Sequence, residues 1–415
     1  MNAKPDGFIG AIMAIEGIAD ADIVLHGPNG CRKNLAVLSR KSYPKPRGET
    51  VAAGTPFYGE FPRVPCTEVT PPDYIYGSYN RITAALGRVG LGDSNLIAVS
   101  CSPGMSLIGD DCWKAVVENE MEDRAVILDT SFASEPLCRG FDSTLADVVR
   151  ALEPEGAETR EGTVNLLGLS VLQKDWESVV DEFRKLFSAM GLEVLCVLGA
   201  GCTVADIRES FSAERNVVLC PEYSVETSTF YDERGVKPIS LGHSPVGFDA
   251  TEGLVRLVGN EMGTDCAKAV SLVDEYRRRA FSRLSAVDSG LKGKTFAIET
   301  DASVAYPLAK WLFESFSMVP VSINLYESGH WDAVESLTGF LGGLGLGDAM
   351  GADVPEGVDY LLCDGNSATI AEAAGFCGRG IDIRFPSITN VDFRPSPIFG
   401  ARGAMYLLDR IVNPF

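Results

Sequence analysis

Histidine is scarce in this sequence, which has His26, His243 and His330 among its 415 residues. We therefore do not expect a metal site built from histidines alone. Phosphate-binding fingerprints are also missing. The sequence has no GxxxxGK[ST] motif and no GxGxxG turn that follows a strand and opens a helix. Nucleotide hydrolysis by this chain itself is accordingly not expected.

Long apolar runs and a surplus of positive charge are absent as well. No apolar stretch reaches the length of about 18 residues that a membrane span needs, so we expect no membrane partner. The net charge of −21 argues against a nucleic acid partner. The first residues carry one lysine and then Asp and Glu, unlike a secretion signal, and we expect a cytoplasmic protein.

Cysteine, in contrast, is abundant, with 11 residues. An odd number in a chain without a secretion signal argues against a disulfide framework. Most of these cysteines lie in apolar segments, where the side chain behaves as a small buried hydrophobic group. The cysteines in loops at the ends of strands are therefore the candidates for chemistry.

The pattern along the chain is a short apolar run, a turn with Gly or Ser, and then a helical pattern. Alternation of this kind predicts βαβ units, and hence an α/β fold with doubly wound parallel sheets. Polar seams at residues 153–162 and 275–294 divide the chain into three predicted Rossmann-like domains, near 1–155, 156–290 and 291–415. The predicted strand-and-turn segments are 96–104, 163–172, 192–201, 216–223, 294–303 and 359–368.

Two cysteines follow predicted strands on glycine-containing turns. Cys31 ends HGPNGC after the apolar run ADIVL, and Cys101 begins CSPG after LIAVS. Ligands gather at the carboxyl ends of strands in open α/β sheets. Thiols there could share a metal centre, with neighbouring amides available to cluster sulfurs. The alternative is that both are buried structural thiols.

These segments resemble the nitrogenase component 1 family. The similar stretches are DGFIGAIMAIEGIADADIVLHGPNGC, RVPCTEVTPPDYIYG, SCSPGMSLIGDD, NVVLCPEYSVETSTFYDERGVKPISL, DGNSAT and RPSPIFGARGAMYLLDRIVN. The resemblance extends along nearly the whole chain and implies three Rossmann-like domains.

The resemblance implies specific ligand positions. Cys31 matches the second cluster ligand and Cys101 the third, although two extra residues separate Cys101 from IGDD. Asp6 stands at the first position, where the family has Cys. A carboxylate can bind iron, and the alternative is that Asp6 is a solvated terminal residue. Cys66 matches a position that is not a ligand. Cys220 matches the cysteine that binds the metal cofactor in the nitrogenase α subunit, with a buried structural role as the alternative.

Two thiols per chain indicate a [4Fe–4S] cluster shared across a subunit interface, because such a cluster takes four thiolates. A second metal cofactor or a tetrapyrrole substrate is expected near Cys220. Arg384, Arg394 and Arg402 could meet carboxylates there, or form surface pairs. The implied partners are an ATP-dependent reductase of the iron-protein type and a second subunit, in a homodimer or in a heterodimer or heterotetramer with a related chain.

The resemblance thus implies a nitrogenase-like oxidoreductase. Electrons would pass from the ATP-dependent iron protein through the interfacial cluster to a substrate or metal cofactor. Two alternatives stay open: a component of a nickel-tetrapyrrole reductive cyclase, and a non-catalytic metallocluster scaffold or partner chain.

Overall fold

The computed structural model describes residues 5–42, 64–128, 131–285, 290–326, 331–387 and 392–413. They form two compact units. Lys4–Ala157 with Leu198–Phe211 is the N-terminal unit, and Glu158–Val197 with Ser212–Phe415 is the C-terminal unit. His330 lies outside the described residues. Within the described ranges, no helix is long and apolar enough to cross a membrane.

The described part of the N-terminal unit contains a parallel sheet in the order β1 (Ala21–His26), β2 (Leu96–Cys101) and β3 (Ala125–Leu128). The register pairs the last residues of β1 and β2, so His26 lies opposite Cys101. The helices of this unit are α1 (Gly7–Glu16), α2 (Asn29–Ser42), α3 (Asp73–Tyr76), α4 (Tyr79–Val89), α5 (Pro103–Ser106), α6 (Cys112–Glu118), α7 (Leu137–Ala151) and α9 (Val204–Glu209), with a 3-10 helix at Ser131–Ser134.

The C-terminal unit contains two further parallel sheets. The first has the order β5 (Glu193–Val197), β4 (Arg160–Leu167), β6 (Ala213–Val218) and β7 (Lys237–Ser240). The helices α8 (Trp176–Ser188), α10 (Val225–Asp232), α11 (Phe248–Met262) and α12 (Ala267–Leu284) connect or follow these strands, with a 3-10 helix at Pro221–Tyr223. A further 3-10 helix, Ser210–Ser212, spans the point in the chain where the N-terminal unit ends and the C-terminal unit resumes.

The second sheet of this unit has the order β11 (Cys377–Arg384), β10 (Val358–Asp364), β8 (Thr295–Thr300) and β9 (Val319–Leu325). Its helices are α13 (Ala302–Phe316), α14 (Trp331–Gly343), α15 (Gly365–Ala373) and α16 (Gly400–Val412), and a 3-10 helix spans Gly347–Ala349.

In both sheets of the C-terminal unit the first strand in the chain lies inside the sheet. Successive connections therefore leave it in opposite directions, and the strand order reverses between β4 and β6 and between β8 and β10. Open α/β sheets bind ligands in the crevice at the carboxyl ends of such strands. Any ligand of this unit is expected at these two points.

The prediction of an α/β fold with three parallel sheets is confirmed. All six predicted strand segments contain a strand. The seam at residues 153–162 is shorter than predicted, because β4 begins at Arg160. The domain boundaries near residues 155 and 290 stay a prediction, and Leu198–Phe211 groups with the N-terminal unit.

Candidate functional site

The carboxyl edge of β1 and β2 brings two predicted ligand segments together. Cys101 is the last residue of β2, and Cys31 lies in the first turn of α2, which begins three residues after β1 ends. Both thiols are free and half-buried. The HGPNGC turn packs closely against the end of β2, because a Cβ on Gly27 would lie 2.7 Å from Ser102 Oγ. Glycine at this position lets the HGPNGC turn approach the neighbouring strand end.

His26 connects three segments at this edge. Its ring is fully buried. Nδ1 lies 3.0 Å from Thr67 Oγ1, and Nε2 lies 3.1 Å from Asp110 Oδ2. Ser78 Oγ donates to the same carboxylate at 2.7 Å, and the Ser78 amide donates to it at 3.0 Å. This hydrogen-bonded group joins the HGPNGC turn to the IGDD loop and to the start of α4.

The hydrogen bonds define the protonation states of this group. Burial lowers the pKa of His26, although the hydrogen bond with Asp110 opposes the shift. We assign the single proton of the neutral ring to Nε2, since ionised Asp110 can only accept. Burial alone would raise the pKa of Asp110, but hydrogen bonds from Ser78 and His26 outweigh it and the pKa is lowered. Asp110 is therefore an ionised acceptor at neutral pH.

Cys112 is a residue of this edge that the sequence pattern did not single out. Its Sγ lies 3.6 Å from Sγ of Cys101. The Cys112 side chain is buried in an apolar cluster with residues of α4 and β2, and Cys101 packs against that cluster. The hydrogen bond with Cys112 lowers the pKa of Cys101 and raises that of Cys112. Cys112 is thus the proton-bearing partner, and Cys101 is the thiol favoured as thiolate.

Cys66 lies next to the same turn but has a structural environment. Residue 66 bridges to Leu25 of β1, and its thiol donates to the Gly27 carbonyl at 3.0 Å. Burial raises its pKa. It is 8% exposed, and the structure gives it a role in holding the turn rather than one at the surface.

Asp6 begins helix α1. Its Oδ1 accepts a hydrogen bond from the Ile9 amide at 3.2 Å, which is the geometry of an N-cap. Its backbone pairs with Pro136, just before α7. The side chain is half-buried rather than fully solvated. Its role as an iron ligand stays a prediction.

Large apolar side chains are exposed on the segments around Cys101 and Asp110. A Cβ on Gly104 of α5 would lie 3.4 Å from the Tyr74 ring, so α3 and α5 are in contact. Large exposed apolar side chains on neighbouring segments of the chain are typical of an interaction site. The residues of this apolar patch, with their exposed fractions, are Tyr74 38%, Ile75 76%, Tyr76 85%, Leu107 86%, Trp113 49% and Val117 43%.

Cys220 follows β6 at the reversal point of its sheet, in the C-terminal unit. Its side chain is fully buried, and its Sγ lies 3.5 Å from Glu222 Oε2 and 3.4 Å from Ser303 Oγ. Burial raises its pKa well above the usual value, with Glu222 adding to the effect. As placed, Cys220 is a protonated thiol between two polar side chains. Its role as a cofactor ligand stays a prediction.

The three arginines near the C-terminus differ in their surroundings. Arg384, the last residue of β11, is 8% exposed and its guanidinium lies 3.6 Å from the centre of the Tyr326 ring. Its Nη1 is 3.8 Å from Asp301, and its Nε and Nη1 have no hydrogen-bond partner among the described residues. Arg402 is half-buried and Arg394 is exposed. Arg384 is the only one of the three that is buried.

The donors at the β1–β2 edge fit part of a metal cluster. Among the described residues, no three Cys, His, Asp or Glu side chains lie together as a metal site. Iron–sulfur clusters are held by thiolates, and a four-iron cluster takes four. Two free, half-buried thiols lie at this edge; the hydrogen bond with Cys112 lowers the pKa of Cys101, whereas burial raises the pKa of Cys31.

Comparison with protein families and curated proteins gives consistent matches. A family model described as nitrogenase component 1 type oxidoreductase matches residues 7–415. The B polypeptide of light-independent protochlorophyllide reductase from Heliobacterium modesticaldum is 28% identical over 286 residues, covering 65% of this chain and 53% of that protein. The N polypeptide of the same enzyme from Acidiphilium rubrum is 25% identical, covering 74% and 72%.

The nitrogenase molybdenum-iron protein beta chain of Sinorhizobium fredii is 23% identical, covering 74% of this chain and 61% of that protein. The chain spans about half the length of the Heliobacterium modesticaldum protein. A solved structure described as "Nitrogenase Cp1 at pH 6.5" matches with a TM-score of 0.77 at 18% identity, covering 99% of this chain and 91% of that one. This match shows the same fold.

Proposed function

This chain belongs to the nitrogenase component 1 type oxidoreductase family, and from that premise we propose that it is the component 1 subunit of a two-component reductase. The observation that carries the proposal is the pair of free, half-buried thiols, Cys31 and Cys101, at one edge of the N-terminal sheet. The sequence has no GxxxxGK[ST] phosphate-binding motif. ATP hydrolysis is therefore assigned to a separate iron-protein-type reductase.

We assign Cys31 and Cys101 as the thiolates that this chain contributes to an interfacial [4Fe–4S] cluster. Asp6 is the candidate for an additional carboxylate ligand. When bound, such a cluster accepts and passes on single electrons at low potential. Thiolates are required for ligation, and the hydrogen bond from Cys112 lowers the pKa of Cys101, which favours its thiolate.

The remaining residues of the edge hold the ligand segments in place. His26 and Ser78 donate to Asp110, and Thr67 accepts from the Gly27 amide at 3.0 Å. These bonds link the turn that precedes Cys31 to the loop that follows Cys101. Second-sphere hydrogen bonds of this kind orient the ligands of metal sites.

The apolar patch supports an interface between chains at this edge. Tyr76 and Leu107 are each more than four-fifths exposed, which is unfavourable in water unless another protein covers them. The names of the relatives describe them as subunits or as a beta chain, so they are parts of multi-chain proteins. We propose that a second copy, or a related chain, covers the patch and supplies the other thiolates.

The substrate of this chain is proposed to be a tetrapyrrole. Two of the relatives are named for the reduction of protochlorophyllide, which is a tetrapyrrole. The C-terminal unit has two sheets whose strand orders reverse, and Cys220, after one reversal point, contacts Ser303, which follows β8 at the other. A substrate or second metal cofactor is proposed at this junction, and a nickel-tetrapyrrole reductive cyclase component is a specific form of the proposal.

A non-catalytic metallocluster scaffold or partner chain is the second candidate, and full enclosure of Cys220, which suits a structural thiol, favours the partner chain. The two are separated by Cys220→Ser in the complete complex. Loss of turnover with an intact four-iron signal supports the reductase. Unchanged reductant oxidation, tetrapyrrole binding and metal content support the scaffold or partner role.

The central test is anaerobic purification followed by counting of iron, sulfide, nickel and molybdenum. About two irons per chain are expected, since one four-iron cluster would serve two chains. Cys31→Ser and Cys101→Ser should each remove the cluster's paramagnetic signal after reduction, whereas Cys138→Ser, at a buried thiol of α7, should keep it. Molybdenum, or many more irons per chain, would contradict the proposal.

A further inference from the structure

Cys101 and Cys112 form a pair of thiols whose contact allows more than the hydrogen bond described above. Their sulfurs are 3.6 Å apart, and both are free. A disulfide has a sulfur–sulfur bond of about 2.05 Å, so the two sulfurs must approach by about 1.5 Å to bond. The pair is therefore close enough for direct thiol chemistry.

The two thiols differ in access, which gives each a distinct part in an oxidation. Cys101 is half-buried at the end of β2, whereas Cys112 is 6% exposed inside an apolar cluster. An oxidant from solution therefore reaches Cys101 first. Cys112 is protected from solution but is within contact distance of Cys101. This is the arrangement of an attacking and a resolving thiol.

We propose that Cys101 and Cys112 are a redox-modification site, which forms an internal disulfide when iron is absent and a disulfide oxidant is present. The Cys101 thiolate attacks a small disulfide such as glutathione disulfide, forms a mixed disulfide and releases one glutathione thiolate. Cys112 then gives up its proton to the leaving glutathione sulfur and attacks Sγ of Cys101, which releases the second glutathione as a thiol. Two thiols lose two electrons and two protons, and the glutathione disulfide is reduced to two thiols.

The effect of the disulfide on iron binding rests on the proposed function, in which Cys101 is a ligand of the cluster. A sulfur bonded to Cys112 cannot serve as a thiolate ligand to iron. The disulfide therefore excludes the cluster, and the cluster excludes the disulfide. A thiol reductant returns Cys101 to the form that binds iron, so loss of the cluster in an oxidising environment becomes reversible.

The test uses the full chain, purified anaerobically, stripped of iron by a chelator and incubated with glutathione disulfide. Free thiols are then alkylated, and peptides are mapped by mass spectrometry. A linked peptide pair containing residues 101 and 112 is expected. Cys112→Ser should lose this pair completely and accumulate a glutathione adduct on Cys101, while Cys138→Ser should behave as the unchanged chain does. A stable adduct on Cys101 in the unchanged chain, or linkage between other cysteines, would overturn the inference.

Iron-loaded protein distinguishes this inference from the proposed function. If Cys101 ligates iron, loading should slow disulfide formation by about tenfold or more, since a bound thiolate is not free to attack. Equal rates of disulfide formation with and without iron would contradict the role of Cys101 as a ligand, but they would not contradict the proposed disulfide between Cys101 and Cys112. Dithiothreitol treatment of the oxidised chain should restore iron uptake to the level of the reduced chain.

Discussion

Replacing Asp110 by Asn tests whether the buried hydrogen-bonded group at the β1–β2 edge holds the site together. Asp110 accepts from His26 Nε2 at 3.1 Å, from Ser78 Oγ at 2.7 Å and from the Ser78 amide at 3.0 Å. His26 is fully buried and Ser78 is 3% exposed, so the donors of both residues are shielded from water. All three donors bond to Oδ2, and the Ser78 amide also reaches Oδ1 at 3.2 Å. The single oxygen of asparagine is uncharged and has two lone pairs for these three donors, and its NH2 group would face the Ser78 amide.

At least one buried donor is then left without a partner, which costs about 1–3 kcal/mol. We expect Asp110→Asn to lower the free energy of unfolding by about 2 kcal/mol. Asp110→Ala leaves more donors without an acceptor and should lower it by about 4 kcal/mol. Urea unfolding of the iron-free chain, followed by circular dichroism, measures both. Iron retained after anaerobic gel filtration should fall in the same order.

Asp111→Asn is the matched control. Asp111 is exposed and caps α6 by accepting from the Lys114 amide at 2.9 Å, and asparagine is an equally good cap. Its effect should stay below about 0.5 kcal/mol, as for most surface changes. Equal losses in Asp110→Asn and Asp111→Asn would refute the role given to the group around His26.

Three further predictions concern other parts of the chain. Burial raises the pKa of Glu182 from 4.5 to about 7, so the stability that its protonated form contributes is complete below about pH 4.5 and is lost as the pH rises through 7. Glu182→Gln should abolish about 3 kcal/mol of this pH dependence of the unfolding free energy, measured at several pH values. Identical pH profiles of the variant and the unchanged chain would contradict this prediction. Lys174→Met removes the cation that Asp382 and Asp392 share and should lower the free energy of unfolding in urea by about 3–5 kcal/mol. Lys294→Met, at the exposed pair with Asp359, should lower it by less than about 1 kcal/mol. Similar losses of stability in the two variants would contradict the role given to burial. Leu107→Asp should dissociate the assembled protein, as measured by sedimentation velocity. Leu91→Asp should not, because Leu91 is equally exposed but precedes the amino end of β2. Intact assemblies in both variants would contradict the proposal that the apolar patch is an interface.

The interior strands were predictable from the sequence because their apolar runs are buried on both faces. The edge strands β7 and β9 were not, since Pro238 and Pro320 interrupt the apolar pattern. An edge strand tolerates proline because one side of its backbone needs no ladder hydrogen bond. Strand β11 was missed for a related reason, as Gly378, Arg379 and Gly380 obscure its alternation.

The candidate site was predictable only where side chains lie at the end of a strand or shortly after it. Cys31 and Cys101 do so, and their common edge follows from parallel pairing. Cys112 lies 11 residues from Cys101 in sequence, and its contact depends on how α6 packs back on the sheet. The buried network around His26 and the enclosure of Cys220 likewise depend on tertiary packing, which no local pattern encodes.

Anomalous diffraction at the iron absorption edge, from crystals of the anaerobically purified protein, tests the central claim most directly. The account predicts iron bonded to the sulfurs of Cys31 and Cys101, at an interface completed by a second chain. Iron located inside one unit and away from both sulfurs, or a fully assembled and active protein without iron at this edge, would contradict it.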